Sequence, residues 1–143
     1  MIILGIDYGA KKIGLAKADS QARLAVPLVT LENNGPADLV QKLQAWCQNE
    51  RIEKIVVGVP ISLQPAKRES FLRHQDLQNK QMQAVLGFID WLKENFSLPI
   101  EMEDERLSTK MANTLQKDLV KKNGDDAIAA MLILQTYLDR PPH

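Results

Sequence analysis

Ile2-Ile3-Leu4-Gly5-Ile6-Asp7-Tyr8-Gly9-Ala10-Lys11-Lys12-Ile13-Gly14-Leu15-Ala16-Lys17-Ala18 is the stretch on which the fold turns. Ile2 to Asp7 is a β-branched apolar run halted by Tyr8-Gly9, and Lys12 to Ala18 is a second such run. Together they read as a hairpin with Gly9 in the turn. Leu24 to Leu31 gives a third strand; Pro27 inside it has no N–H for a ladder, which suits an edge or a bulge. Asn34-Gly35-Pro36 then opens a helix. Its Leu39, Val40, Leu43, Trp46 and Cys47 recur at the spacing of one buried face.

Further along, Ile52 to Val59 holds Ile55-Val56-Val57 unbroken, the pattern of a strand covered on both faces, and Pro60 ends it. Residues 62–80 are polar and punctuated. They read as a loop feeding a helix that carries Met82, Val85, Leu86, Ile89, Leu92 and Phe96. Leu98 to Glu103 reads as a strand, Leu107 to Val120 as a helix and Asp126 to Leu138 as a last helix. Its segment Ala127 to Leu134 is apolar all round, which predicts deep burial. Three antiparallel strands followed by alternating segments, βββαβαβαα, predict a mixed five-stranded sheet with parallel additions and helices on both faces. The class is α/β.

The 143 residues suit a single domain spanning 1–143, and neither a linker nor an internal repeat divides them. With 45% hydrophobic and 25% charged residues, the chain has the balance of a globular protein, not of a disordered tract or a disulfide scaffold. Eighteen Lys and Arg offset eighteen Asp and Glu, so any basic surface for a polyanion must be local. Cys47 lies in an apolar helical stripe and reads as a buried, reduced thiol. The start has neither a charged n-region nor a long apolar core, and no apolar run reaches the ~18 residues of a spanning helix. The expected location is the cytoplasm, with no membrane partner.

Soft-metal and redox chemistry find no support. There is no CxxC, HExxH, Walker A or GxGxxG pattern, and His74 and His143 are far apart. What remains is acidic. Asp7 ends the first strand, Glu105 follows a later one in Glu101-Met102-Glu103-Asp104-Glu105-Arg106, and Asp125-Asp126 opens the apolar helix. Two like charges ~4 Å apart repel by about 4 kcal/mol at an effective dielectric near 20, so carboxylates gathered there would recruit a cation. Mg²⁺ and Mn²⁺ accept such all-oxygen sites, and the chemistry they support is phosphodiester hydrolysis. By position alone an Asp at a helix start equally reads as a cap, Glu105 and Arg106 as a solvated pair, and Asp7 as a turn former.

Four ordered motifs add to this reading. They are Gly5-x-Asp7-x-Gly9-x-Lys11-Lys12-x-Gly14-x-Ala16, Val56-x-Gly58-x-Pro60, Asp104-Glu105-Arg106-Leu107-x-Thr109 and Asp126-x-x-Ala129-Ala130-x-x-Ile133-Leu134-Gln135. Together they resemble the YqgF/RuvX family across nearly the whole chain. The resemblance implies a ribonuclease H-like fold and a metal-dependent nuclease. It implies 5′-end maturation of pre-16S ribosomal RNA in association with the ribosome or its precursor, with resolution of four-way DNA junctions as the alternative. By motif position it carries the acidic triad over to Asp7, Glu105 and Asp126, as catalytic residues and as ligands of Mg²⁺ or Mn²⁺. The chain departs from the pattern after Pro60, where the usual Asn and Asp-Gly turn are missing. It departs again before Asp126, in a shorter stretch with Asn123-Gly124-Asp125.

Each of these acids has basic neighbours suited to a phosphate backbone: Lys11 and Lys12, Arg106, and Lys121 with Lys122. The expected partner is therefore nucleic acid, structured RNA first and branched DNA second. Lys67, Arg68, Arg73, His74 and Lys80 could extend the track or form a solvated helix face, and no aromatic residues interleave them. Two other classes remain open. One is an ATP-dependent domain of the actin and sugar-kinase superfamily, which Gly-Ile-Asp-Tyr-Gly also resembles. The other is a non-catalytic nucleic-acid-binding or ribosome-assembly module.

Overall fold

The computed structural model describes residues 1–60, 77–104 and 125–140. β1 (Ile2–Tyr8) and β2 (Lys12–Asp19) form the expected antiparallel hairpin, and β3 (Leu24–Glu32) adds to β2 as an antiparallel edge. After α1 (Pro36–Asn49), β4 (Lys54–Val59) pairs parallel with β1. After α2 (Leu77–Asn95), β5 (Ile100–Asp104) pairs parallel with β4, and α3 (Asp125–Asp139) closes the fold. The five-stranded sheet has the order β3-β2-β1-β4-β5, the mixed arrangement expected from the sequence.

Strand alternation splits the core in two. Leu4, Ile6, Ile13, Leu15, Ile55, Val57 and Val59 face α1 and α2, while Ile3, Ala16, Ala18 and Val56 face α3. β1 and β4 are thus covered on both sides, which explains their unbroken apolar runs. The α3 face is built from small residues. A Cβ added at Gly5 would lie 3.0 Å from the Ala130 carbonyl oxygen, so that helix lies nearly on the strand. Leu132, Ile133 and Leu134 in α3 are all buried, as the all-round apolar pattern required.

Edge strand β3 is managed in two ways. The ladder shifts register between Leu15 and Ala16, opposite Pro27, the irregularity that proline predicts. The side chain of Gln135 then stands in for a further strand: Ala25 N–H donates to its Oε1 at 2.9 Å, and its Nε2 donates to the Arg23 carbonyl at 3.2 Å. Two edge groups that would otherwise offer a template for aggregation are thereby occupied.

Several boundaries differ from expectation. α2 begins at Leu77, inside the stretch whose polarity reads as loop, since Leu77, Gln78 and Lys80 are good helix formers. β5 begins at Ile100 rather than Leu98: Pro99 has no N–H to give, although its carbonyl accepts Ile55 N–H at 2.9 Å. α3 begins at Asp125, one residue before the start expected from the sequence, so that residue lies within the first helical turn. The helix expected over Leu107 to Val120 lies outside the described residues.

Cys47 is free and buried on the inner face of α1, and burial pushes its thiol up to about 11. At pH 8 the thiolate fraction is then on the order of one in a thousand. Ellman's reagent should therefore label the native protein on the order of a hundredfold more slowly than the denatured chain. Equal rates for the two states would contradict the burial.

Candidate functional site

The register of the β1–β2 hairpin places Asp7 directly opposite Gly14, with Cα atoms about 5 Å apart. Opposed residues project to the same side of a sheet, so the Asp7 side chain and the bare Cα of Gly14 share a face. That face is the one α3 covers. A Cβ added to Gly14 would sit 1.8 Å from the Asp126 carbonyl oxygen and 2.2 Å from its carbonyl carbon. The first turn of α3 therefore rests its Asp126 backbone on Gly14, the residue paired with Asp7 near the C-terminal end of β1. The start of α3 reaches this end of the hairpin because a glycine leaves room for a helix backbone.

Asp7 and Asp126 are both half-buried, and Asp126 lies in the first turn of α3. An all-oxygen pair of this kind suits a hard divalent cation and offers nothing to a thiophilic one. No larger His, Cys, Asp or Glu cluster is assembled among the described residues. Glu105, the third acid expected, lies outside them, as do Arg106, Lys121 and Lys122. Of the expected phosphate-binding residues, Lys11 and Lys12 are described, and both are exposed.

Their turn is held rigidly. Gly9 is required there, since a Cβ would lie 2.6 Å from the Lys12 carbonyl oxygen. Asn33 secures the turn from the far end of β3. Its backbone N–H donates to the Lys11 carbonyl at 2.9 Å and its Nδ2 to the Gly9 carbonyl at 3.1 Å. The sequence offered no sign of this role, because Asn33 and Asn34 are alike on paper and the pairing spans the sheet.

Glu103 is a second residue whose place is not legible in the sequence. It is 1% exposed and pairs in register with Gly58 on β4. Continuing the β1–β4 ladder one step past Ile6↔Val57 sets Gly58 beside Asp7. Asp7, Gly58 and Glu103 thus form one row on the α3 face, its middle position bare. Adjacent strands are ~4.8 Å apart, so about 10 Å separates the Cα atoms of the two acids. The Arg140 guanidinium, just past α3, forms an ion pair with Glu103 Oε1. Burial pushes the Glu103 carboxyl above its ordinary range, and Arg140 only partly offsets that. In sequence Glu101 and Glu103 share a face by period two. What separates them is depth, since Glu101 is exposed beside Lys54 and Tyr137.

The chain is similar to several known proteins. The model of the RuvX family, described as Holliday junction resolvase, matches residues 1–140. A protein of Rickettsia africae (strain ESF-5) named "Putative pre-16S rRNA nuclease" is 34% identical over 142 residues, covering 96% of this chain and 85% of its own. The protein of that name from Rickettsia typhi (strain ATCC VR-144 / Wilmington) is 35% identical over 142 residues, covering 96% and 84%. Among solved structures, T. thermophilus RuvC in complex with Holliday junction substrate superposes with a TM-score of 0.58 at 15% identity, covering 96% of this chain and 93% of that one. Fowlpox virus resolvase with its Holliday junction DNA gives 0.52 at 11% identity, with 97% of each chain covered. The fold is the ribonuclease H-like architecture that the motifs implied.

Proposed function

The chain belongs to the RuvX family, and on that premise we propose that it is a divalent-metal-dependent nuclease that hydrolyses phosphodiester bonds in structured RNA. The reaction proposed is maturation of the 5′ end of pre-16S ribosomal RNA, on the ribosomal precursor and in the cytoplasm. The observation that carries this reading is the seating of Asp126 on Gly14, opposite Asp7. The names of relatives about one-third identical over nearly the whole chain support the choice of substrate. Among the described residues no helix is long and apolar enough to cross a membrane.

In this reading Asp7, Asp126 and Glu105 would hold Mg²⁺ or Mn²⁺. The bound cation would supply Lewis-acid stabilisation of charge on the attacking and leaving oxygens. The protein's own part is placement. Asp7 is fixed by the central strand and Asp126 by a helix that cannot slide on Gly14, so neither carboxylate reorganises as charge develops. Lys11 and Lys12 hold the phosphate backbone over the strand ends, with Arg106, Lys121 and Lys122 as further contacts.

The test is a cleavage assay offering a pre-16S 5′ leader RNA and a four-way DNA junction side by side. Cleavage of the leader in Mg²⁺ or Mn²⁺, abolished by excess chelator and not supported by Ca²⁺, is the expected result. Cutting of the junction alone would favour the second reading, which the family model's description supports. Binding without turnover in any cation would leave the non-catalytic assembly module. The lysine turn has its own test. Lys11→Ala and Lys12→Ala should each weaken binding and lower the salt slope by roughly 0.7 to 0.9, with the melting temperature little changed. An unchanged slope in both would show that the turn does not touch the backbone.

A further inference from the structure

Asp7 and Tyr8 are neighbours on β1, so alternation sends their side chains to opposite faces of the sheet. On the Tyr8 side there is an open cavity of about 240 Å³ between β1, the start of α1 and α2. Tyr8 stacks on Phe88 with ring centroids 4.2 Å apart and planes inclined by 16°, and Phe88 stacks in turn on Trp91 at 5.7 Å. Asn33 stands at the same cavity, its Nδ2 reaching the Tyr8 hydroxyl at 3.4 Å. Gly87 completes the lining from the middle of α2. A Cβ there would meet nothing within 4 Å. Internal packing therefore does not call for glycine at this exposed helical position, where alanine would serve the helix better. Bare backbone at the floor of an aromatic cavity is what a closely approaching flat ligand requires.

We infer that this cavity is a subsite for one unstacked nucleobase of the RNA strand whose phosphate lies at Asp7. The inference rests on the nuclease reading and narrows its substrate to a strand with an unpaired nucleotide next to the cut. Size sets the occupant: drug-sized ligands need roughly 300 Å³ or more, so a single planar ring fits and a whole nucleotide does not. Chemistry agrees, since aromatic walls give the sequence-tolerant stacking used on single strands, while the Tyr8 hydroxyl, which accepts from Asn33, can still donate a hydrogen bond. Charge agrees as well. Exposed Lys11 and Lys12 stand in the turn that directly follows Asp7 and Tyr8, between the two faces. A strand crossing the C-terminal ends of the strands would present phosphate to one side and a base to the other. No aromatic signal is visible along the chain, because Tyr8 and Phe88 are 80 residues apart and only the fold stacks them.

The test is equilibrium binding of the full chain, in Ca²⁺, to a synthetic RNA carrying the pre-16S 5′ leader junction with one abasic nucleotide walked along it. Native protein should show one position at which base removal weakens binding on the order of tenfold. Gly87→Leu fills the cavity from an open helix surface and leaves every aromatic in place. It should weaken binding of the intact RNA by a similar factor and abolish the positional difference, with melting no lower than native, since leucine suits a helix better than glycine. Binding that is insensitive to every abasic position, or discrimination that survives in Gly87→Leu, overturns the subsite. Leader cleavage in Mg²⁺ by the same preparation would then show that the nuclease reading stands without it. Loss of self-association in Gly87→Leu, without abasic sensitivity in the native chain, would assign the cavity to protein contact and overturn the inference equally. Failure to bind or cut any RNA overturns the subsite and the nuclease reading together.

Discussion

Asp126→Asn is expected to lower the rate of RNA cleavage at least about a hundredfold while the protein melts within about 1 kcal/mol of the native chain. The activity loss follows from the proposed role. Removing one carboxylate ligand takes away several kcal/mol of charge stabilisation at the phosphate, and each ~1.4 kcal/mol is tenfold in rate. The small stability change is the balance of two modest effects. Losing an acid from the first turn of α3 forfeits about 0.3 to 1 kcal/mol of favourable interaction with the helix terminus. Against that, a neutral side chain ends the repulsion with Asp7, which shares its face of the sheet. Asp7→Asn should behave alike. Asp125→Ala is the control that fixes the helical register. Because α3 already includes Asp125, its replacement loses no cap, so it should cost only a few tenths of a kcal/mol and keep cleaving. If Asp125→Ala abolished cleavage and Asp126→Asn kept it, the wrong aspartate would have been assigned to the site.

The contrast between what the chain discloses and what it conceals follows the range of the interactions. β1 and β2 are legible because alternation, a glycine turn and β-branched residues all act within a few positions. α3 is legible because an apolar run with no polar face has nowhere to go but inside. Asp7 and Asp126 are legible as candidates from their places at a strand end and a helix start, yet nothing local says that they meet. That depends on Gly14, whose missing side chain matters only once α3 lies across it. Glu103 was hidden for the same kind of reason. Its difference from Glu101 is set by Arg140 and by depth under a helix, not by its neighbours in sequence. The start of α2 is not legible because its polar residues carry no apolar period that would set them apart from a loop.

Gly14→Ala is expected to be the most damaging single methyl in the described structure. An added Cβ would lie 1.8 Å from the Asp126 carbonyl oxygen and 2.8 Å from the Ala127 nitrogen, far inside contact distance. The atoms in the way belong to helix backbone, so no rotamer change relieves the clash. Either α3 lifts from the sheet or β2 bends. α3 cannot lift cheaply, because Ala130 and Leu134 sit on Gly5 and Gln135 is bonded to the backbone of β3. Overpacking of a core usually costs 1 to 3 kcal/mol, and a conflict between two backbones should reach about 3 kcal/mol or more. Function should suffer further, since the adjustment falls on the turn that carries Asp126. At a temperature where Gly14→Ala remains folded by circular dichroism, its cleavage should still be reduced at least tenfold. Gly5→Ala provides the comparison. Its Cβ would meet the Ala130 carbonyl oxygen and the Leu134 Cβ at 3.0 Å, one turn and more away from Asp126. It should destabilise by less and lose activity only in proportion to the protein unfolded. Equal activity per folded molecule in the two variants would mean that the seat of α3 on Gly14 does not set the position of Asp126.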